Sequence, residues 1–368
     1  MRTVPLFLAL LVAALARASL AADAPAPVPA AVPVTGAAVE SLKAFDDAML
    51  EFMRRYDIQA GVLAVSKDGH IVLERGYGWA DKGRTRPTPP DAIMRIASVT
   101  KPITRAAILA LIREGKIAYD TKVFAYLGIE PPGGKAEDER IYKITVKNLL
   151  EHRGGWDRAQ AGDPMFKMKQ VREDLKLDRP PVPRDVVRWM MGRPLQFDPG
   201  EREVYSNFGY CVLGRVIEKA SGKTYEQYVT GEILRPAGAT TVRMSRDRAA
   251  DRDGREVWYP AADGEFSTEV MDAHGGLASS AGDLCRFMHA WWISGEPRGA
   301  GQKQKWLFFG SLPGTSAMAM QRLGGVDIAV LLNGPDGKSK ERDACLPVLR
   351  EAMSKAAAET LERPAQAP

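Results

Sequence analysis

Residues 95–104 read "RIASVTKPIT". A proline directly after Lys101 is tolerated only where backbone amides have no intrahelical partner, because its ring removes a donor and crowds the preceding turn. The residues that follow, "ITRAAILALIREGK", carry apolar side chains at Ile103, Ile108, Leu109, Leu111 and Ile112, the spacing of a helix with a well-buried face. The helix is therefore expected to start just before Pro102. Ser98 then stands at the helix N-terminus, where free amides and the positive dipole end favour a developing negative charge. Lys101, one turn along, points the same way. A nucleophile, a nitrogen base and an anion site are thus assembled from one short stretch. Taken alone, the serine reads equally as a cap and the lysine as a solvated charge, so the stretch needs partners elsewhere.

Upstream, "VESLKAFDDAMLEFMRRYD" has helical spacing, and "GVLAVSKDGHIVLERGYGWAD" reads as two strands joined at an Asp68-Gly69 turn. Downstream the pattern is mostly helical to about residue 290, in "TVKNLLEH", "RDVVRWMMG", "NFGYCVLGRVIEKASG" and "SAGDLCRFMHAWW". Strands then return in "QKQKWLFFG", "TSAMAMQRL" and "VDIAVLLNG", before a closing helix from Arg342 to about Ala358. Strands at both chain ends around a helical middle predict an α+β fold: one antiparallel sheet built from both ends, flanked by helices, with a mainly helical subdomain inserted. The sheet part is expected over 37–95 and 290–360 and the helical part over 96–289, with a site in the cleft between them.

The chain opens "MRTVPLFLALLVAALARASLAADAPAPVPAAVPV". Arg2, an apolar run from Val4 to Leu15 and small residues at Ser19, Ala21 and Ala22 predict a secretory signal over 1–22. The Ala/Pro-rich segment 23–36 is expected to be an extended tether, and 361–368 a disordered tail. An exported protein, periplasmic or secreted, follows, with no stable membrane insertion once the signal is removed, since the apolar run is too short to span a bilayer. Cys211, Cys285 and Cys345 are far apart and odd in number, which argues for buried small residues over a disulfide framework. The net charge of +5, from 51 basic and 46 acidic residues, is spread along the chain and gives nucleic acid no basic stripe. The four histidines show no metal-ligand spacing, and no cofactor is implied. His152 and His274 read as loop residues with structural roles. Gly222, in "SGKT", reads as a helix C-cap, because the upstream glycine of a phosphate loop is absent.

Tyr205-Ser206-Asn207 directly precedes the helix that ends at Gly222. A phenol and an amide two residues apart can face one cleft, the first relaying a proton and the second gripping a carbonyl. Asn207 is equally readable as an N-cap. Ser98-Val-Thr-Lys101 is the sole S-x-x-K of the chain and Tyr205-Ser-Asn207 the sole Y-x-N. In this order and separation the two motifs resemble the serine β-lactamase-related family, which includes class C β-lactamases, D-alanyl-D-alanine carboxypeptidases and a branch of esterases. The resemblance spans about residues 38–358 and extends to "LLEHRGGWD" (149–157), "GGLASSAGDLCRFM" (275–288) and "GSLPGTSAMA" (310–319). It implies the β-lactamase/transpeptidase-like fold over 37–360, Ser98 as nucleophile, Lys101 as base, Tyr205 as second proton carrier and Asn207 as the substrate-orienting amide. It further implies an oxyanion hole from the amides of Ser98 and Ser311. The third family motif, usually Lys or His, a small residue and Gly, is here Phe308-Phe309-Gly310. The cation that would hold a substrate carboxylate is replaced by an aromatic ring. The expected function is thus an exported serine hydrolase acting through an acyl-enzyme on a small ester, amide or peptide, esterase-like toward neutral apolar acyl groups. The alternatives are a D-Ala-D-Ala carboxypeptidase or β-lactamase, and a catalytically silent sensor that keeps the cleft.

Overall fold

The computed structural model describes residues 32–260, 266–299, 304–334 and 339–362. The expected signal segment lies outside them. Six strands form one antiparallel sheet: β1 (Val34–Thr35), β2 (Ala60–Lys67), β3 (His70–Gly78), β7 (Trp306–Leu312), β8 (Thr315–Gln321) and β9 (Val326–Leu332), in the spatial order β1-β3-β2-β9-β8-β7. The numbers β4, β5 and β6 belong to Met94–Arg95, Arg243–Met244 and Leu277–Ser279, which make a separate small sheet ordered β4-β6-β5. Chain ends meet where β2 pairs β9, with Val62 opposite Leu331 and Ala64 opposite Ala329.

Both faces of the large sheet are covered, so its central strands read as almost unbroken apolar runs. Side chains alternate across the pleat. On β9, Ile328, Val330 and Leu332 enter one core with Phe45, Met49 and Phe52 of α1 (Lys43–Arg55) and Leu349 and Met353 of the closing helix, α7 (Ser339–Thr360). Ala329 and Leu331 enter the other core. That core holds α2 (Thr100–Arg113), α3 (Pro183–Met191), α4 (Asn207–Ser221), α5 (Thr268–Gly275) and α6 (Ala281–Ala290). Alanines at 60, 64, 317, 319 and 329 on this face let helices approach the sheet closely.

Two expectations need correction. The tether reaching to residue 36 ends in structure: Val34 and Thr35 pair with Tyr77 and Gly76, and the Thr35 hydroxyl donates to the Thr88 carbonyl at 2.5 Å. Proline and alanine composition hid a two-residue edge strand. Glu362, expected in a disordered tail over 361–368, is held in place by a two-pronged bond from Arg322 at 2.7 Å on each arm, and 363–368 lie outside the described residues. The stretch 96–289 is mainly helical, as expected, with the short strands β5 and β6 set into it, and α6 packs on β2 and β9 of the large sheet. Strands of two and three residues are too short to show a periodicity. All three cysteines are buried, and Gly222 takes the left-handed conformation (φ 70°) that ends α4.

Candidate active site

The helix after Ser98 starts at Thr100, with Pro102 in its first turn where no donor is required, and Ala97–Val99 form a single 3-10 turn before it. Ala97 is held at φ 46°, a costly conformation for a residue with a Cβ, directly before Ser98. Two neighbours over-determine that turn. Leu277 supplies the carbonyl that accepts from Ile96 N at 3.0 Å, and Gly310 of the edge strand β7 presses against it from the other side. A Cβ at Gly310 would overlap the Ile96 carbonyl oxygen and stand 3.1 Å from Ala97 Cβ, so only glycine lets β7 sit this close to the serine.

Lys101 lies on the inward face of α2 and is fully buried. Its Nζ is 3.1 Å from Ser98 Oγ, 2.8 Å from Asn207 Oδ1 and 2.8 Å from the His274 carbonyl oxygen. Burial holds its pKa well below the usual lysine range; Asp163 opposes that shift and Arg158 adds to it. Three acceptors would satisfy an ammonium, and the depressed pKa favours the neutral amine in the same place. In that neutral form two N–H groups serve the two carbonyl acceptors, and the lone pair can take the proton of Ser98. Tyr205 Oη donates to Ser98 Oγ at 2.8 Å. Burial raises the pKa of the phenol above its usual value, with the Ser98 bond and Arg158 pulling the other way, so Tyr205 is a protonated donor at neutral pH. The serine oxygen thus receives one proton and can release its own to Lys101.

Asn207 is the first helical residue of α4, because Ser206 is the cap: its Oγ accepts from Gly209 N at 3.1 Å. This corrects the capping alternative and frees the Asn207 amide. Its Nδ2 donates to Asp163 Oδ2 at 2.7 Å, which leaves Oδ1 turned to Lys101. His152 (φ 55°) accepts from Ser206 N through Nδ1 at 3.2 Å, and its ring lies 4.8 Å from that of Tyr205 and 5.1 Å from that of Tyr210. Burial, with Lys101 and Arg105 nearby, lowers its pKa to about 4, so the imidazole is neutral and braces Tyr205. His274 is in α5, not in a loop, and it is the backbone oxygen that meets Lys101.

Ser98, Tyr205, Asn207, Phe308 and Ser311 line one cavity of about 440 Å³; Gly310 does not line it but packs against Ile96 and Ala97. The structure therefore brings Ser98, Tyr205, Asn207, Phe308 and Ser311 around one cleft, with Lys101 buried and bonded to Ser98. The rest of the lining is mostly apolar, from Phe166, Phe309, Leu312, Pro313, Leu346 and Pro347, with two charged side chains, Arg158 and Asp343, and His274 and Gly275 beside them. Asp163 and Arg158 were not legible in the sequence, since neither belongs to a spaced pattern. Among the described residues no group of three acidic, histidine or cysteine side chains could hold a metal ion, and no helix is long and apolar enough to cross a membrane.

The Beta-lactamase family model matches residues 45–342, most of the chain. This protein belongs to the beta-lactamase family. Its relatives include a putative fimbrial assembly protein FimD of Dichelobacter nodosus, 34% identical over 223 residues, which cover 58% of this chain and 52% of the relative. Penicillin-binding protein 4* of Bacillus subtilis (strain 168) is 30% identical over 190 residues, 51% of this chain and 38% of the relative. The chain spans about half or less of the length of these curated relatives. D-amino acid amidase from Ochrobactrum anthropi SV3 shares the fold, with a TM-score of 0.66 at 19% identity over 86% of this chain and 99% of the amidase. The beta-lactamase/transpeptidase architecture thus accounts for the six-stranded sheet and the helical layers around Ser98.

Proposed function

We propose that this protein is an exported serine hydrolase that cleaves small esters, amides or peptides through an acyl-enzyme on Ser98, and that it works best as an esterase on neutral apolar acyl groups. The observation that carries the reading is the Lys101–Ser98–Tyr205 chain of hydrogen bonds, with the base neutral and the phenol protonated. A ligand sensor has no use for a buried lysine poised over a serine hydroxyl. In acylation, Ser98 Oγ attacks the substrate carbonyl as its proton passes to Lys101 Nζ, giving a tetrahedral oxyanion. The amides of Ser98 and Ser311 face that oxyanion, one from the start of α2 and one from the edge strand. As the bond to the leaving group breaks, Tyr205 Oη protonates the departing oxygen or nitrogen and Lys101 replenishes the phenol. Water then attacks the acyl-enzyme by the same relay in reverse, releasing the acid and restoring Ser98.

Phe308 stands where the family pattern puts a cation, so the strand side of the cleft favours an uncharged acyl chain over a charged one. The amidase named among its structural relatives supports a wider amide-cleaving capacity on the same scaffold. Export rests on the leader-like residues 1–22. The test is the intact mass of the protein from Asp23 onward after exposure to p-nitrophenyl butyrate, penicillin and a fluorophosphonate, beside Ser98→Ala. An adduct on the native protein that vanishes in the variant, with butyrate turned over faster than penicillin, supports the reading. Absence of any adduct would overturn it.

A further inference from the structure

The strand wall of the cleft lacks a cation, but the opposite wall has one. Arg158 opens the short helix Arg158–Ala161, right after its N-cap Asp157, and is exposed. Its guanidinium carbon lies 5.0 Å from the centroid of the Tyr205 ring, and the side chain lines the same cavity as Ser98, Asn207 and Phe308. The acidic groups beside it are engaged elsewhere. Asp157 accepts from Ala159 N at 2.9 Å and lies 3.6 Å from Arg202. Asp163 accepts from Asn207 Nδ2 and from Met165 N. Among the described residues no carboxylate forms an ion pair with Arg158. A guanidinium is charged at every working pH and offers a planar fork of donors suited to a carboxylate. Here the guanidinium rests over the phenol with no ion-pair partner among the described residues, in the cavity that holds Ser98 and, in its lining, the one further carboxylate of Asp343.

We infer that Arg158 is the anion anchor of this cleft and holds a carboxylate on the leaving-group side of the scissile bond. The side follows from the proton path: Tyr205 delivers its proton to the leaving atom, so whatever is bound over the Tyr205 ring is attached to the leaving part. Phe308 and Leu312 lie on the strand wall and take the acyl part. The substrate class is therefore an ester or amide with an apolar acyl group and an acidic leaving group, which deepens the hydrolase reading above and rests on it. Arg158 also belongs to the electrostatic surroundings of Lys101 and Tyr205. A test must separate that influence from substrate binding.

Three esters do so: phenyl butyrate, 3-butyryloxybenzoate with its carboxylate on the leaving group, and monophenyl succinate with its carboxylate on the acyl part. The expected result is a preference of native protein for 3-butyryloxybenzoate over phenyl butyrate of about tenfold in kcat/KM, the size of one charge-assisted bond. Arg158→Gln should lose that preference and Arg158→Lys keep part of it, while monophenyl succinate gains nothing over phenyl butyrate. Equal turnover of charged and neutral leaving groups in the native protein would overturn the inference, as would a preference that survives Arg158→Gln. Losses of the same factor on both butyrates would also overturn it, showing that Arg158 acts only through Lys101 and Tyr205. A gain on the succinate would overturn the assignment of sides. Calorimetry of 3-hydroxybenzoate against phenol reads the anchor without turnover: the acid should bind the native protein about tenfold more tightly than it binds Arg158→Gln. If Ser98 takes no fluorophosphonate yet this binding difference stands, the hydrolase reading fails and the anchor does not. If the acid binds both proteins alike, the anchor fails.

Discussion

The two walls of the cleft are built on different rules. On the helical wall every polar atom of Ser98, Lys101, Tyr205 and Asn207 named above has a partner between 2.7 and 3.1 Å, and burial sets the protonation state of both the base and the acid. On the strand wall, β7 presents rings, one glycine and one serine. The helical wall fixes what reaction can occur, because a proton relay tolerates little error in distance or pKa. The strand wall fixes position and selectivity. Replacement of a cation by Phe308 changes what is held there without touching the relay.

If that division holds, the largest losses belong to the helical wall. Ser98→Ala and Lys101→Ala should each lower kcat on p-nitrophenyl butyrate by at least about 10³-fold, and the double variant should be scarcely worse than either, because the two act as a unit. Lys101→Arg should be as inactive, since a guanidinium cannot surrender its proton to become a base. Near-additive losses in the double variant would show that the relay drawn here is wrong.

Gly310→Ala probes the one place where the strand wall controls geometry. The added methyl meets the Ile96 carbonyl and Ala97, so β7 must retreat from the turn that carries Ser98. A displacement of that size should cost about 10²-fold in kcat, with a stability loss of about 1–3 kcal/mol from overpacking. Steady-state kinetics beside a thermal melt would check both. A variant with native kcat would mean that β7 and the serine turn move independently.

The reactive wall was largely legible in the sequence because its signals are local. Pro102 marks a helix start, S-x-x-K puts two side chains on one face, and Y-x-N sits at a helix entry. The large sheet was legible from its Asp-Gly hairpin and its strand runs at both ends. What stayed hidden has no local signature. Asp163 meets Asn207 across 44 positions, and the His274 carbonyl meets Lys101 across 173, by way of backbone that any residue could supply. Arg158 is one arginine among many until Tyr205 is placed beneath it. β1, β5 and β6 are too short for a period, and their pairing is fixed by the packing around them.

The pH dependence sharpens the comparison from the helical side. Lys101 must be neutral to act, so kcat/KM should rise with pH through its depressed pKa and stay level until the phenol of Tyr205, raised by burial, begins to ionise. Asp163 is the group that holds the lysine pKa up. Asp163→Asn keeps an acceptor for Asn207 while removing the charge, so the acid limb should move to lower pH. A limb that moves upward, or not at all, would show that another group controls it.

The smallest effect is expected where the strand wall has departed from the family pattern. Phe308→Lys puts a cation back on β7, at a position that lines the cavity and is half-buried. A charge-assisted bond to an acyl-side carboxylate is worth about 1.5–3 kcal/mol, so turnover of monophenyl succinate should rise about tenfold or more. The same change removes apolar surface from the acyl side, and turnover of p-nitrophenyl butyrate should fall by several fold. Because Phe308 is not among the groups that shift the Lys101 pKa, the pH limb set by Lys101 should shift little compared with Asp163→Asn. Measured together, a reversed substrate preference with a nearly unmoved pH limb would establish that selectivity and chemistry reside on separate walls. If the limb moved as far as in Asp163→Asn, the strand wall would prove to be part of the electrostatic machinery, and the division between the two walls would have to be redrawn at Ser98.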